Sequence, residues 1–256
     1  MSRSMREFVT STAARMPFGK SLLRMARTWR MRRTFGVKGS PEEVFSHYFR
    51  RNSWGDPESL SGPGSTIEYT SNLRRELPDL MKRLGVHRLL DAPCGDFNWF
   101  RLIRPDLSLQ YIGGEIVADL VARNNAQYGD DRTSFVHLDI TNDHLPAADL
   151  WLCRDVLFHL REREVFLAFD NFLRSDIRFL LTSSHPECRQ NTDIPTGAFR
   201  PLNLRLSPYG LPEPQQVIDD WIKGWPVRHL CLWDRSQVER AMRENRAYRK
   251  AVASRQ

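Results

Sequence analysis

Three apolar runs in succession each close on an acid, and that repetition constrains the fold of this chain more than any other feature. The first is Leu89-Leu90-Asp91, which runs into Ala92-Pro93-Cys94-Gly95-Asp96-Phe97-Asn98-Trp99. The second is Tyr111-Ile112-Gly113-Gly114-Glu115-Ile116, whose acid lies 20 residues after Gly95. The third is Leu138-Asp139-Ile140. Strand-like runs are expected at His87–Asp91, Leu109–Gly113, Ser134–Leu138, Asp149–Cys153, Arg178–Thr182 and His229–Leu232, with helical spacing at Ser71–Leu84, Val117–Asn125 and Arg163–Leu173. Alternating strands and helices imply an α/β fold with a parallel sheet covered on both faces. Right-handed crossovers then bring the strand ends to one edge, where ligands bind.

The acids at that edge suggest a nucleotide-like ligand. A strand, a tight turn at Gly95 and a helix beginning near Phe97 would aim backbone N–H groups and a positive helix end at the ligand, with Gly95 allowing close approach. An acid at the tip of the second strand suits two ribose hydroxyls, so Glu115 takes that role. Asp139 is placed to accept from an adenine amino group. The alternative for each is structural: Asp91 capping a helix, Glu115 and Asp139 as solvated strand-end acids.

With these residues the chain resembles the class I S-adenosylmethionine-dependent methyltransferases. Asp91-Ala92-Pro93-Cys94-Gly95-Asp96-Phe97 is similar to their glycine-rich loop, Glu115 to their ribose-binding acid and Asp139-Ile140 to their adenine-side pair. Asp149 to Leu160 is similar to their fourth strand and following turn. The resemblance covers roughly residues 85–185. It implies a Rossmann-like, mostly parallel seven-stranded sheet with helices on both faces, and S-adenosyl-L-methionine as cofactor. It places Asp91, Pro93, Cys94, Gly95, Phe97, Trp99, Glu115, Ile116, Asp139, Ile140 and Arg154 around that cofactor. Pro93 and Phe97 stand where the family's loop usually has glycines. Pro93 has no N–H, so the loop offers one donor fewer, and Phe97 and Trp99 are expected to wall the pocket instead.

The fourth strand end should face the transferred methyl group. Asp155 and His159, four residues apart on a helical turn, are the expected catalytic pair, with His159 as base or as orienter of the base. A core histidine pinning the loop is the competing reading of His159. Arg154 either binds an anionic substrate or pairs with Asp155. Residues 185–226 carry seven prolines and are expected to form a lid or substrate segment. Polar side chains in it and just before it, among them Thr182, His185, Asn191, Asp193, Arg200 and Asn203, suit a small-molecule or glycan-like acceptor methylated on oxygen. Ser61-Gly62-Pro63-Gly64-Ser65 is a turn-rich stretch conjectured to fold over the cofactor.

Charge separates a basic N-terminal extension, residues 1–35, from a domain spanning 36–256. Residues 1–35 hold nine basic side chains and Glu7, whereas the whole chain is only +7, which leaves the remainder at −1. A near-neutral body is a poor candidate for wrapping nucleic acid. Leu22, Met25, Ala26 and Trp29 share a face of a basic amphipathic helix. It is read as packing on the domain, as a peripheral membrane anchor or as a targeting peptide. Cys94, Cys153, Cys188 and Cys231 lack metal-ligand or CxxC spacing, so no metal is expected and a cytoplasmic, reducing location fits. Two further readings compete with the small-molecule enzyme. One is a nucleic-acid methyltransferase tethered by the basic extension. The other is a non-catalytic, membrane-associated scaffold that has lost cofactor binding. Oligomeric state stays open.

Overall fold

Strand propensity and the parallel pattern set the frame. A computed structural model describes residues 39–253; the basic extension expected over residues 1–35 lies outside the described residues. The strands are β1 (Arg88–Asp91), β2 (Gln110–Glu115), β3 (Thr133–His137), β4 (Leu150–Cys153), β5 (Phe179–Ser184), β6 (Gln216–Asp219) and β7 (His229–Asp234). They form one seven-stranded sheet in the order β3-β2-β1-β4-β5-β7-β6. β1 to β5 are parallel, while β7 runs antiparallel to β5 and β6.

Every residue of β4 and β5 is buried, as strands sandwiched between two helical layers must be. The two-residue pleat divides them between two cores. Leu89, Leu150, Leu152, Phe179 and Leu181 face one core, whereas Leu90, Trp151 and Leu180 face the other. The first core is closed by α2 (Ser71–Leu84), whose Leu73, Leu77, Leu80 and Met81 recur at helical spacing. The second is closed by α4 (Glu162–Arg174), α5 (Arg235–Arg243) and α6 (Arg246–Ala253), through Val165, Phe169, Phe172, Val238, Met242 and Ala251. The remaining helices are α1 (Pro41–Arg50) and α3 (Ala118–Tyr128). α1 begins at Ser40, which exchanges reciprocal capping bonds with Glu43.

Two local expectations change. No α-helix follows β1: Phe97 lies at φ +58°, and only short 3-10 turns follow at Phe100–Leu102 and Arg104–Asp106. A left-handed residue ends any right-handed helix that would start there, and Asp96 turns the chain by accepting from the Asn98 N–H at 3.3 Å. The 185–226 segment is irregular except where it supplies β6. Its irregular part is well packed, with Leu202, Leu204, Tyr209 and Leu211 in the second core. No helix among the described residues is long and apolar enough to cross a membrane.

Candidate functional site

Parallel pairing places the tips of β1, β2 and β3 side by side, so the three expected acids do meet at one edge. Asp91 is buried and accepts a 2.7 Å hydrogen bond from the Tyr111 hydroxyl. Burial pushes its carboxyl up to about 7, while the Tyr111 bond and Arg154 pull in the opposite direction. Glu115 is also buried and accepts from the N–H groups of Gly95 and Val117, each at 3.1 Å. Burial raises it too, against the backbone bonds it receives. Neither acid has a basic side chain in ion-pair contact among the described residues. Asp139 is half-buried and accepts from the Thr141 N–H and hydroxyl at 2.8 and 2.7 Å. Ile116 is half-buried beside Glu115, and Ile140 is buried after Asp139.

The turn between β1 and β2 is organised differently from the sequence expectation. Its N–H groups already have protein partners. Cys94 donates to the Gly114 carbonyl at 2.9 Å, Gly95 to Glu115, and Asp96 to the Ser61 hydroxyl at 2.9 Å. Gly95 has φ +58°, and a Cβ there would overlap the Ser61 Oγ. Close approach to this glycine is therefore made by Ser61. The Asp96 carboxylate holds the same segment, accepting from Ser59 Oγ at 3.0 Å and the Leu60 N–H at 2.7 Å. Residues 61–65, conjectured to fold over the cofactor, lie against the turn through the Ser61 hydroxyl and the Ser65 carbonyl, which accepts from the Asn98 amide at 3.1 Å. Cys94 is buried, its thiol pushed well up by burial.

Phe97 does not wall a pocket. It is buried within an aromatic cluster, its ring centroid 5.0 to 5.9 Å from those of Phe100, Tyr111, Tyr128 and Phe135. Trp99 does reach the edge, with the Arg154 guanidinium 5.5 Å above its ring.

The β4 end is a buried ionic cluster. Arg154 bonds the Asp220 carboxylate through Nε and Nη2, both at 2.9 Å, and the Gly64 carbonyl at 2.7 Å. Asp155 takes Arg228 at 2.8 Å and Arg154 at 3.4 Å, and Arg228 reaches Asp220 at 3.0 Å. Burial opposes the charge on Arg154, but Asp155 and Asp220 outweigh it and raise the guanidinium's hold on its proton. Burial likewise pushes Asp220 up, and the two guanidiniums overcome it and hold the carboxyl below its ordinary value. Arg154 is thus paired with Asp155, as one of its two expected roles had it, and with Asp220. Asp155 and His159 do not form the expected pair. Asp155 sits at φ +59°, which breaks the helical turn, and its carboxylate accepts from Ser183 as well as the arginines. His159 ends the 3-10 turn Leu157–His159, and its Nδ1 lies 2.8 Å from the Ala198 carbonyl. Burial pushes its imidazole pKa down.

Sequence reasoning missed Asp96, Ser61, Asp220 and Arg228. Ser61 and Asp96 each sit in a motif that drew attention, yet only the fold joins them. Asp220 lies 66 residues from Arg154, and no spacing rule connects the two. Among the described residues no group of three or more His, Cys, Asp or Glu side chains is placed to hold a metal.

Comparison with solved structures agrees with the fold. The chain matches human N-acetylserotonin methyltransferase in complex with SAM at TM-score 0.55 and 15% identity, over 84% of this chain and 66% of that one. It matches the magnesium protoporphyrin IX methyltransferase of Synechocystis, with bound SAM, at TM-score 0.52 and 14% identity, over 77% and 98%. PigF with SAH matches at TM-score 0.56 and 15% identity, over 78% and 63%. The chain spans 66% of the length of the bacterial CtHen1 methyltransferase domains it also matches. No protein-family model and no curated protein sequence matches the chain. At these identities the likeness is one of fold: a class I S-adenosylmethionine-dependent methyltransferase fold.

Proposed function

We propose that this protein is an S-adenosylmethionine-dependent methyltransferase acting on a small-molecule acceptor, with a hydroxyl, including that of a glycan, as the methylated group. The observation that carries the proposal is the pair of buried acids, Asp91 and Glu115, which have no ion-pair partner among the described residues at the tips of β1 and β2. Buried carboxylates without counter-charge are costly unless a ligand supplies donors or a cation. S-adenosylmethionine supplies an ammonium, a sulfonium and a ribose diol, so the residues present fit it. Asp91 would hold the cationic end, Glu115 the ribose hydroxyls, and Asp139 the adenine amino group, with Ile116 and Ile140 as apolar neighbours. When bound, the cofactor supplies a methyl group on sulfonium, poised for displacement.

His159 is the base of this reading. Its Nδ1–H is fixed by the Ala198 carbonyl, which leaves Nε2 with a lone pair for an acceptor proton. Asp155 and Arg154 act as a brace that positions the loop. The four free cysteines, three of them buried, suit a reducing cytoplasm. Contact of residues 1–35 with a membrane surface is tested by co-sedimentation with anionic vesicles.

One observation favours a second reading, a scaffold that binds no cofactor: Ser61 fills the approach to Gly95, and the turn's N–H groups are already bonded. Calorimetric titration with S-adenosylmethionine separates the two. Micromolar binding is expected, weakened roughly tenfold to 150-fold in Glu115→Gln, the equivalent of losing a hydrogen bond to a charged group worth ~1.5–3 kcal/mol. A folded protein that shows no heat of binding would leave the scaffold reading standing.

A further inference from the structure

We infer that His159 and His185 form a clamp for one neutral hydroxyl, in which one imidazole accepts the proton and the other donates to the oxygen. The inference rests on the methyltransferase reading of this edge and narrows its acceptor.

His159 follows β4 and His185 follows β5, so the parallel pairing of those strands brings both to the same edge. Both rings pack on the same two phenylalanines. Phe158 lies 4.6 Å from His159 and 5.2 Å from His185 between centroids, and Phe199 lies 5.9 and 6.2 Å from them. The two phenylalanines are 5.5 Å apart. The charged groups acting on this cluster are Asp155 and Arg228 on both histidines, and Arg200 on His159.

Backbone bonds give the two imidazoles opposite polarity. A carbonyl only accepts, so His159 must carry its proton on Nδ1, 2.8 Å from the Ala198 oxygen. A backbone amide only donates, so His185 Nδ1 must be bare where the Leu202 N–H reaches it at 3.2 Å. Burial keeps both rings neutral, pushing His185 down to about 4 and His159 in the same direction. The neutral His185 ring therefore carries its proton on Nε2, whereas His159 presents a lone pair there. Neither Nε2 has a hydrogen-bond partner among the described residues, although His185 is only 3% exposed.

A hydroxyl matches that pair. Its proton passes to His159 Nε2, one oxygen lone pair attacks the methyl carbon, and the second accepts from His185 Nε2–H. The oxygen–carbon bond forms as the carbon–sulfur bond breaks with its electrons on sulfur, and the positive charge ends on the His159 imidazolium. A carboxylate has no proton to offer and would set lone pair against lone pair at His159. An amine has one lone pair and cannot both attack and accept from His185.

The test is a long-range proton–nitrogen correlation spectrum of the nitrogen-15-labelled full chain, assigned with His159→Gln and His185→Gln. The unmodified protein should show His159 protonated at Nδ1 and His185 at Nε2, both neutral at pH 7. The same tautomer in both rings, or a charged ring, would overturn the clamp without any need for a variant that folds. Phenol and benzoate then serve as probes at equal concentration. Phenol should shift both Nε2 signals and benzoate neither; equal shifts, or none with phenol, would also overturn it. Calorimetry with S-adenosylhomocysteine keeps the two claims apart. Binding of that product with matching tautomers sinks only the clamp, whereas phenol-specific shifts without product binding sink only methyl transfer.

Discussion

The two halves of the sheet edge treat buried charge in opposite ways. At β1 and β2, Asp91 and Glu115 are buried with no basic side chain in ion-pair contact among the described residues, and burial raises both carboxyls. At β4 and the β6–β7 hairpin, Asp155 and Asp220 are matched by Arg154 and Arg228. The paired half closes on itself and braces the loops after β4 and β6. The unpaired half leaves electrostatic demand that the described residues do not meet. Buried charge thus points to a ligand only where its compensation is missing.

The sharpest way to break this contrast is to remove one charge from the paired half. Asp220→Asn leaves two buried guanidiniums short of a counter-charge and should lower stability by ~3–5 kcal/mol in urea unfolding. A loss below about 1 kcal/mol would mean that the cluster is solvated and braces nothing.

In the unpaired half the same comparison predicts a pH slope. The folded Asp91 carboxyl sits at about 7, whereas an unfolded aspartate sits near ~4. The folded state therefore holds a proton that the unfolded chain releases between them. Its contribution is fully present below the unfolded value and is lost as pH rises through about 7. Asp91→Asn still offers the Tyr111 hydroxyl an acceptor. It should remove that slope and exceed the unmodified protein at pH 8 by ~2–4 kcal/mol. A ligand cation reverses the preference, so S-adenosylmethionine should bind more tightly at pH 8 than at pH 6. Equal slopes in the two proteins would locate the titration elsewhere.

Ser61→Ala has the smallest expected effect and sharpens the border between the halves. It removes the acceptor for the Asp96 N–H and should cost ~0.5–1.5 kcal/mol of stability. If the 59–65 segment must withdraw from Gly95 to admit the cofactor, calorimetry should show tighter binding in this variant. Unchanged affinity would mean that Ser61 and the cofactor do not compete.

Much of the fold was legible because its determinants are local. Leu73, Leu77 and Leu80 mark α2 by their spacing alone, and Leu150 to Cys153 mark a buried strand by unbroken apolarity. An acid that follows such a run must fall at the strand tip, so the sequence alone places Asp91, Glu115 and Asp139 on one edge. β6 escaped because Gln216-Val217-Ile218-Asp219 is short and follows a proline-rich stretch. Phe97 was misplaced because position in a loop motif says nothing about which way a ring turns. Its left-handed backbone sends it into the core with Tyr111 and Phe135.

By itself, the sequence determined the α/β class, the parallel direction of the early strands and the three acids at their tips. These follow from periodicity and from the chain direction of each strand. Tertiary structure alone decided which acids are paired and which histidine nitrogen holds a proton. Arg228 reaches Asp155 only because the antiparallel β6–β7 hairpin folds back against β5. The Ala198 carbonyl and the Leu202 amide polarise His159 and His185 from remote positions in a packed loop. Charge compensation and tautomer depend on neighbours in space, and those neighbours are set by the closed fold.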